Sequence, residues 1–283
     1  MRFEYVRPES LRQALEILDQ GDERVKVLAG GTDLLVFIQE GVISPRLVVD
    51  LGGIAELKSI EEKYGRIRLG ALVTHEEAAA SPLIREKAGV LREACAEVGA
   101  PQIRSQGTIG GNLVTASPSG DAIPALVALG ASLALTSLHG ERAVPIEEFF
   151  TGVKKTVIRH DELLTFVSFP SAEPSARGFF KKLGQRKALA ISKVSVAACL
   201  DLHQGAVRSC RIALGAVAPT VIRATKTEAY LRGKKLDRGT IAQAARIVSS
   251  ESRAITDLRS EADYRNEMTG VLLQRGLEEI RGE

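Results

Sequence analysis

Ala29-Gly30-Gly31-Thr32-Asp33-Leu34-Leu35 and Thr108-Ile109-Gly110-Gly111-Asn112-Leu113-Val114-Thr115-Ala116-Ser117-Pro118-Ser119-Gly120-Asp121 are two glycine-centred stretches, each beside an apolar run. Val25-Lys26-Val27-Leu28 leads into the first, and Ile109 and Leu113-Val114 lie within the second, so strand-like segments are predicted to hold both as rigid loops. Such loops expose backbone N–H groups. Gly30, Gly31, Gly110 and Gly111 let phosphate oxygens approach with no Cβ in the way, and Thr32, Asn112, Thr115 and Ser117 add neutral side-chain donors. The pair predicts a cradle for a diphosphate cofactor, although either Gly-Gly pair alone is equally compatible with a plain turn. The G-x-G-x-x-G spacing of a dinucleotide Rossmann unit and the G-x-x-x-x-G-K-[ST] of a P-loop are both missing.

Working outward, Pro8-Glu9-Ser10 precedes Leu11, Ala14, Leu15 and Leu18, one apolar face of a short helix closed by Gly21. Strands are predicted at Val25 to Leu28 and Pro45 to Leu51. A second unit opens with a strand at Ile67 to Ala71 and a helix capped by Thr74, with Glu77 at its third position. A helical stretch from Leu83 to Val98, broken at Gly89, leads to the second glycine loop. Beyond it lie a helix at Ala122 to Leu129 and strands at Leu133 to Thr136 and Leu163 to Val167. Pro170 to Ser175 reads as a linker. After it come strands at Val194 to Leu200 and Val207 to Val217 around the His203-Gln204-Gly205 turn, then helices at Thr225 to Leu231, Thr240 to Ser249 and Ala262 toward Ile280.

Composition narrows the function. The 283 residues are 45% hydrophobic and 26% charged, a folded balance, and the net charge of +3 leaves no basic stripe for nucleic acid. Trp is absent and aromatics are 4%, too few for a base-stacking platform. The three cysteines, Cys95, Cys199 and Cys210, form no Cys-x-x-Cys pair and read as free thiols. His75, His139, His160 and His203 are scattered, without metal-ligand spacing, and are assigned ordinary surface or turn roles. Ser117 and Ser119 lack the context of a hydrolase nucleophile. The start is not a signal segment and no apolar stretch has transmembrane length, which makes the cytoplasm the expected compartment.

With these residues in view, the chain resembles the FAD-binding middle-subunit family of xanthine dehydrogenase and carbon monoxide dehydrogenase-type molybdenum hydroxylases. Four ordered stretches carry the resemblance: the two glycine loops, Phe179 to Val194 (F-F-K-K-L-G-Q-R-K-A-L-A-I-S-K-V), and Asp257 to Arg265 (D-L-R-S-E-A-D-Y-R). It implies an α+β fold: a vanillyl-alcohol-oxidase-like FAD-binding domain at 1–170, in subdomains of about 1–55 and 56–170, and a small C-terminal sheet-and-helix domain at 176–283. It also implies that Ala29, Gly30, Gly31, Thr32 and Asp33, with the turn of Gly110, Gly111 and Asn112 headed by Thr108, hold the pyrophosphate and adjoining ribityl groups. Asp121 is placed against a ribityl hydroxyl, Leu164 near the adenine or cofactor edge, and Lys181 beside the isoalloxazine carbonyl region.

The same resemblance implies a division of labour. Electrons would pass from a molybdopterin on a large partner subunit, through [2Fe–2S] clusters on a small two-cluster iron–sulfur subunit, to FAD on this chain and then to NAD or another acceptor. This chain supplies no amino-acid catalyst in that scheme. Three cysteines cannot furnish the four thiolates of a further cluster here, which argues against relatives carrying an inserted iron–sulfur segment. Two other readings fit the loops, a standalone FAD-dependent oxidoreductase and a noncatalytic nucleotide-binding assembly module.

Overall fold

A short parallel sheet begins the chain, where three short strands alternate with two helices. In the computed structural model, which describes residues 2–173, 175–186 and 189–282, these are β1 (Glu4–Val6), α1 (Leu11–Asp19), β2 (Val25–Leu28), α2 (Leu34–Gln39) and β3 (Leu47–Asp50), in sheet order β1-β3-β2. Ser10 caps α1 by accepting from the Gln13 N–H, and Ala14, Leu15 and Leu18 are the buried face anticipated from their spacing. Pro174 of the predicted linker, Lys187 and Ala188 of the third family stretch, and both terminal residues lie outside the described residues.

The second unit is a five-stranded antiparallel sheet, order β4-β5-β10-β6-β7. Its elements are β4 (Ile60–Lys63), β5 (Arg66–Gly70), helices α3 (His75–Ala80), α4 (Pro82–Lys87), α5 (Gly89–Ala96), α6 (Pro101–Arg104), α7 (Ile109–Thr115) and α8 (Ala122–Ala128), then β6 (Ser132–Ser137), β7 (Gly140–Pro145), α9 (Ile146–Phe149), β8 (Phe150–Gly152), β9 (Lys155–Thr156) and β10 (Leu163–Pro170). Thr74 and Glu77 close the predicted capping box at α3, each side chain satisfying the other's backbone N–H. Apolar residues of the sheet and helices merge into one core, including Leu69, Leu91, Leu113, Leu126 and Phe169. A second core, with Leu18, Val49, Leu57, Leu72 and Leu163, joins the parallel sheet to the antiparallel one.

The C-terminal sheet, order β11-β12-β13-β14, is antiparallel throughout: β11 (Ala176–Leu183), β12 (Val194–His203), β13 (Ala206–Gly215) and β14 (Ile222–Arg223). Helices α10 (Thr225–Leu231), α11 (Arg238–Glu251) and α12 (Ala262–Gly282) follow. This sheet is covered on both faces, by α10 and α12 with α11 packed beside them on one side, and by α5 and α8 on the other. Neighbouring residues of β11 therefore belong to different cores: Phe179 packs with Leu272, Leu273 and Leu277, whereas Phe180 packs with the helices of the preceding unit. Among the described residues, no helix is long and apolar enough to cross a membrane.

Candidate functional site

The first glycine loop leaves β2 and must turn into α2 within a few residues. Gly31 makes the turn with φ +76°, a conformation open to glycine. Gly30 serves another purpose: a Cβ there would stand 1.9 Å from the Gln106 carbonyl oxygen and 3.0 Å from Gly107 Cα. Glycine thus lets the first loop lie directly on the backbone that leads into the second. Among the described residues, the backbone N–H groups of Gly30, Gly31, Thr32, Asp33 and Leu34 have no protein acceptor, and all five residues line one cleft. Consecutive free N–H groups around a left-handed turn make an anion-binding nest.

The second stretch departs from its predicted form. It is not a loop held by strands but the helix α7, with Thr108 as N-cap accepting from the Gly111 N–H at 3.0 Å. The Gly110 N–H donates to the Ala71 carbonyl at 2.9 Å. Neither glycine N–H is free for a phosphate, which corrects the predicted role of Gly110 and Gly111 as donors. A Cβ on Gly110 would meet Ala71 Cβ at 2.6 Å, so this glycine seats α7 against the end of β5. Thr115 is likewise committed: its hydroxyl donates to Asp33 Oδ2 at 2.9 Å, stapling α7 to the first loop and occupying one oxygen of a carboxylate that would repel phosphate.

Both stretches line a single cleft of about 440 Å³, within the range of small-molecule sites. Ala29 to Asp33 form one wall, while Thr108, Gly110, Gly111, Asn112 and Thr115 form another. Leu164 completes it from β10, where a bulge between Leu164 and Phe166 breaks the register with β6. The Thr165 carbonyl at that bulge accepts from the Ala71 N–H at 2.8 Å, which ties Leu164 to the seat of α7. Asn112 Oδ1 is buried with no hydrogen-bond partner, although it lies on the cleft wall.

Three predicted residues do not line this cleft. Ser117 shares a hydrogen bond with Ser119 in the turn after α7. Asp121 is only 7% exposed and both its oxygens are engaged: Oδ1 accepts from the Ser192 hydroxyl at 2.6 Å and Oδ2 from Lys182 Nζ at 2.6 Å. Burial pushes its carboxyl up, opposed by the Lys182 ammonium. Lys181 faces away, its ammonium paired with Glu279 on α12 at 2.5 Å. The alternation of β11 explains this, because Lys181 shares a face with Phe179 and Lys182 shares one with Phe180. The lysine directed at the preceding unit is Lys182.

His75, assigned a surface or turn role from sequence, is 2% exposed and lines the cleft. Burial and the Arg104 charge push its imidazole down to about 4. Its backbone N–H donates to the Gly107 carbonyl at 3.0 Å. The one sequence signal was its place directly after the cap Thr74, which fixes it at the buried start of α3. Arg159 and His160 also reach the cleft, from the loop before β10, where Glu162 accepts from Arg142 at 2.6 Å and from the Arg159 N–H at 2.8 Å. The three cysteines are unpaired, and burial pushes all their thiols up, Cys199 and Cys210 to about 12, so they stay protonated. Asp257 accepts from Arg265 and from the Arg259 N–H, a structural role for the last family stretch.

Comparison with known proteins agrees with this architecture. Residues 1–172 match the FAD binding domain in molybdopterin dehydrogenase, and residues 179–280 match the CO dehydrogenase flavoprotein C-terminal domain. The chain is 30% identical to the carbon monoxide dehydrogenase medium chain of Hydrogenophaga pseudoflava, over 98% of this chain and 96% of that one. It is 31% identical to the glyceraldehyde dehydrogenase medium chain of Sulfolobus acidocaldarius, over 98% of each. The solved structure of reconstituted CO dehydrogenase from Oligotropha carboxidovorans superimposes with a TM-score of 0.95 at 30% identity, over 100% of this chain and 98% of that one. With its nest, its seated helix and its covered C-terminal sheet, the chain belongs to the family of FAD-binding medium-chain subunits of molybdenum-hydroxylase-type dehydrogenases.

Proposed function

We propose that this chain holds FAD in the cleft between the first glycine loop and α7, and relays electrons from [2Fe–2S] clusters of a small partner subunit to NAD or another acceptor. Those electrons originate at the molybdopterin of a large partner subunit. The observation that carries the reading is the run of five free N–H groups from Gly30 to Leu34. Five neutral donors in a row suit a diphosphate, whose charge they stabilise by hydrogen bonding. The orphaned Asn112 Oδ1 suits it too, since a buried acceptor without a donor costs free energy that a ligand hydroxyl would restore. The apolar side of the cleft, including Leu164, Leu72 and Ile103, suits a flat ring system.

Bound FAD supplies the redox chemistry, and the protein binds, orients and shields it. In this reading Ala29, Gly30, Gly31, Thr32 and Asp33 hold the diphosphate, and Thr115 keeps Asp33 turned from it. Thr108, Gly110 and Gly111 fix α7 so that Asn112 meets a hydroxyl. Ser117, Asp121 and Lys181 support the site's surroundings instead of touching the cofactor. We read 1–170 as the FAD-binding unit, in subdomains of about 1–55 and 56–170, and 176–283 as the C-terminal unit. Three protonated thiols leave this chain without the four ligands of a cluster, which supports placing the clusters on a partner. Unpaired cysteines also support the cytoplasm as the compartment.

Titration of the purified chain with FAD, followed by quenching of flavin fluorescence, tests the reading. Saturable one-to-one binding, with ADP as competitor, is expected. A folded chain that neither retains nor rebinds FAD would overturn it.

A further inference from the structure

His75 sits where the two arms of the cleft meet. Its backbone donates to the Gly107 carbonyl, and a Cβ on Gly107 would be 3.4 Å from both His75 Cδ2 and Thr32 Oγ1. The Cδ2–Nε2 edge of the ring is therefore the edge turned toward Gly107, the residue that Thr32 of the first loop also borders, and both residues line the cleft. The opposite nitrogen, Nδ1, is fully enclosed and has no hydrogen-bond partner.

These facts decide where the ring proton lies. The imidazole is neutral at working pH, because burial and the nearby Arg104 guanidinium both oppose a second proton. A neutral imidazole carries one N–H and one bare nitrogen. A buried N–H without an acceptor is rarer and costlier than a buried acceptor without a donor. The bare nitrogen is then the enclosed Nδ1, and the N–H is on Nε2, on the side of Gly107.

We propose that His75 is a cofactor-binding residue, whose Nε2–H donates to an oxygen of the bound diphosphate at the junction of the first loop and the segment entering α7. The proposal rests on the FAD reading above and deepens it. A neutral donor matches the backbone N–H groups of the nest from Gly30 to Leu34, which are also uncharged. It also gives a buried imidazole on the cleft wall a function that simple packing does not, since an apolar ring of similar size would fill the space without an orphaned nitrogen.

The test compares wild type, His75→Phe and His75→Gln in binding FAD, ADP and adenosine, with circular dichroism as the folding control. The Phe variant keeps the ring volume but loses the donor, and is expected to bind FAD and ADP roughly tenfold to a hundredfold more weakly, the range for a hydrogen bond to a charged group. The Gln variant, whose amide reaches the position of Nε2, should recover binding to within about threefold. ADP shares the adenosine and the diphosphate but lacks the flavin, so an equal loss for FAD and ADP, with no loss for adenosine, places the contact on the diphosphate. Nitrogen-15 spectra of the wild-type ring give a second readout independent of folding in the variants: the proton on Nε2, with that resonance shifting on addition of ADP. Wild-type affinity in a folded Phe variant, loss for FAD with none for ADP, an equal loss for adenosine, or a proton on Nδ1 would overturn the His75 assignment while leaving the FAD reading intact. Failure of the wild-type chain to bind FAD would overturn both.

Discussion

Gly30→Ala is the sharpest perturbation of the cleft. The new Cβ would lie 1.9 Å from the Gln106 carbonyl oxygen and 2.7 Å from its carbon. The obstruction is backbone and no side chain can rotate aside, so the segment from Gln106 to Gly107 must retreat by at least about 1.5 Å to reach ordinary contact. Gly30 is not among the positive-φ glycines, so alanine meets this clash without added backbone strain. Overpacking of this kind costs about 2–3 kcal/mol. In a unit of this size that lowers Tm by about 5–10 °C. The same retreat moves the seam between the loop and α7, and a 1 Å misplacement in a preorganised site weakens binding by at least about tenfold. Gly89→Ala is the control, because its Cβ meets open space in the first turn of α5. It should raise stability by about 0.4–1 kcal/mol through the unfolded chain. Thermal denaturation and FAD titration measure both variants. A Gly30→Ala protein with unchanged Tm and unchanged FAD affinity would refute the idea that this glycine exists for close approach of the two segments.

Two further predictions use the buried ionisable groups. Lys182 and Asp121 are 6% and 7% exposed at the side chain, so Lys182→Met strands a buried carboxylate and is expected to cost about 3–5 kcal/mol in urea unfolding. Lys181→Met removes only a partly exposed pair with Glu279, is expected to cost under about 1 kcal/mol, and leaves FAD binding unchanged; the reverse order of the two would contradict the assigned faces of β11. His75 carries a pH signature: its folded value of about 4 lies below the ordinary 6.5, so the unfolded state binds the extra proton first as pH falls. Its contribution is fully present above pH 6.5 and is lost between there and about 4, for a total of about 3 kcal/mol. His75→Gln should flatten that part of the stability–pH curve, and an identical slope in variant and wild type would sink the assignment.

Much of this architecture is legible in the residues. Ser10 and Thr74 announce helices because their side chains cap them, and the apolar spacing of Leu11 to Leu18 names the buried face of α1. The two glycine stretches do meet at one cleft. What escaped was set by tertiary contact. Gly110 and Gly111 have low helix propensity, yet α7 forms across them because Thr108 caps it and Ala71 accepts the Gly110 N–H. Phe179-Phe180-Lys181-Lys182 shows no alternation because β11 is buried on both faces, so choosing between the two lysines required knowing which core each face meets. Asp121 looked like a partner for a hydroxyl, and it is one, but the hydroxyl is that of Ser192, far along the chain. His75 looked isolated because its neighbour Gly107 and the cleft it lines belong to other segments.

The most direct test of the whole account is to isolate, anaerobically and through a tag on this chain, the complex it forms in its native host, and to follow the flavin absorption by stopped flow as the iron–sulfur clusters are reduced. One FAD is expected for each copy of this chain, bleached after the clusters in the complex and reoxidised by the acceptor. Stoichiometric FAD that stays oxidised while the clusters are reduced, or a complex in which this chain carries no FAD, would contradict it.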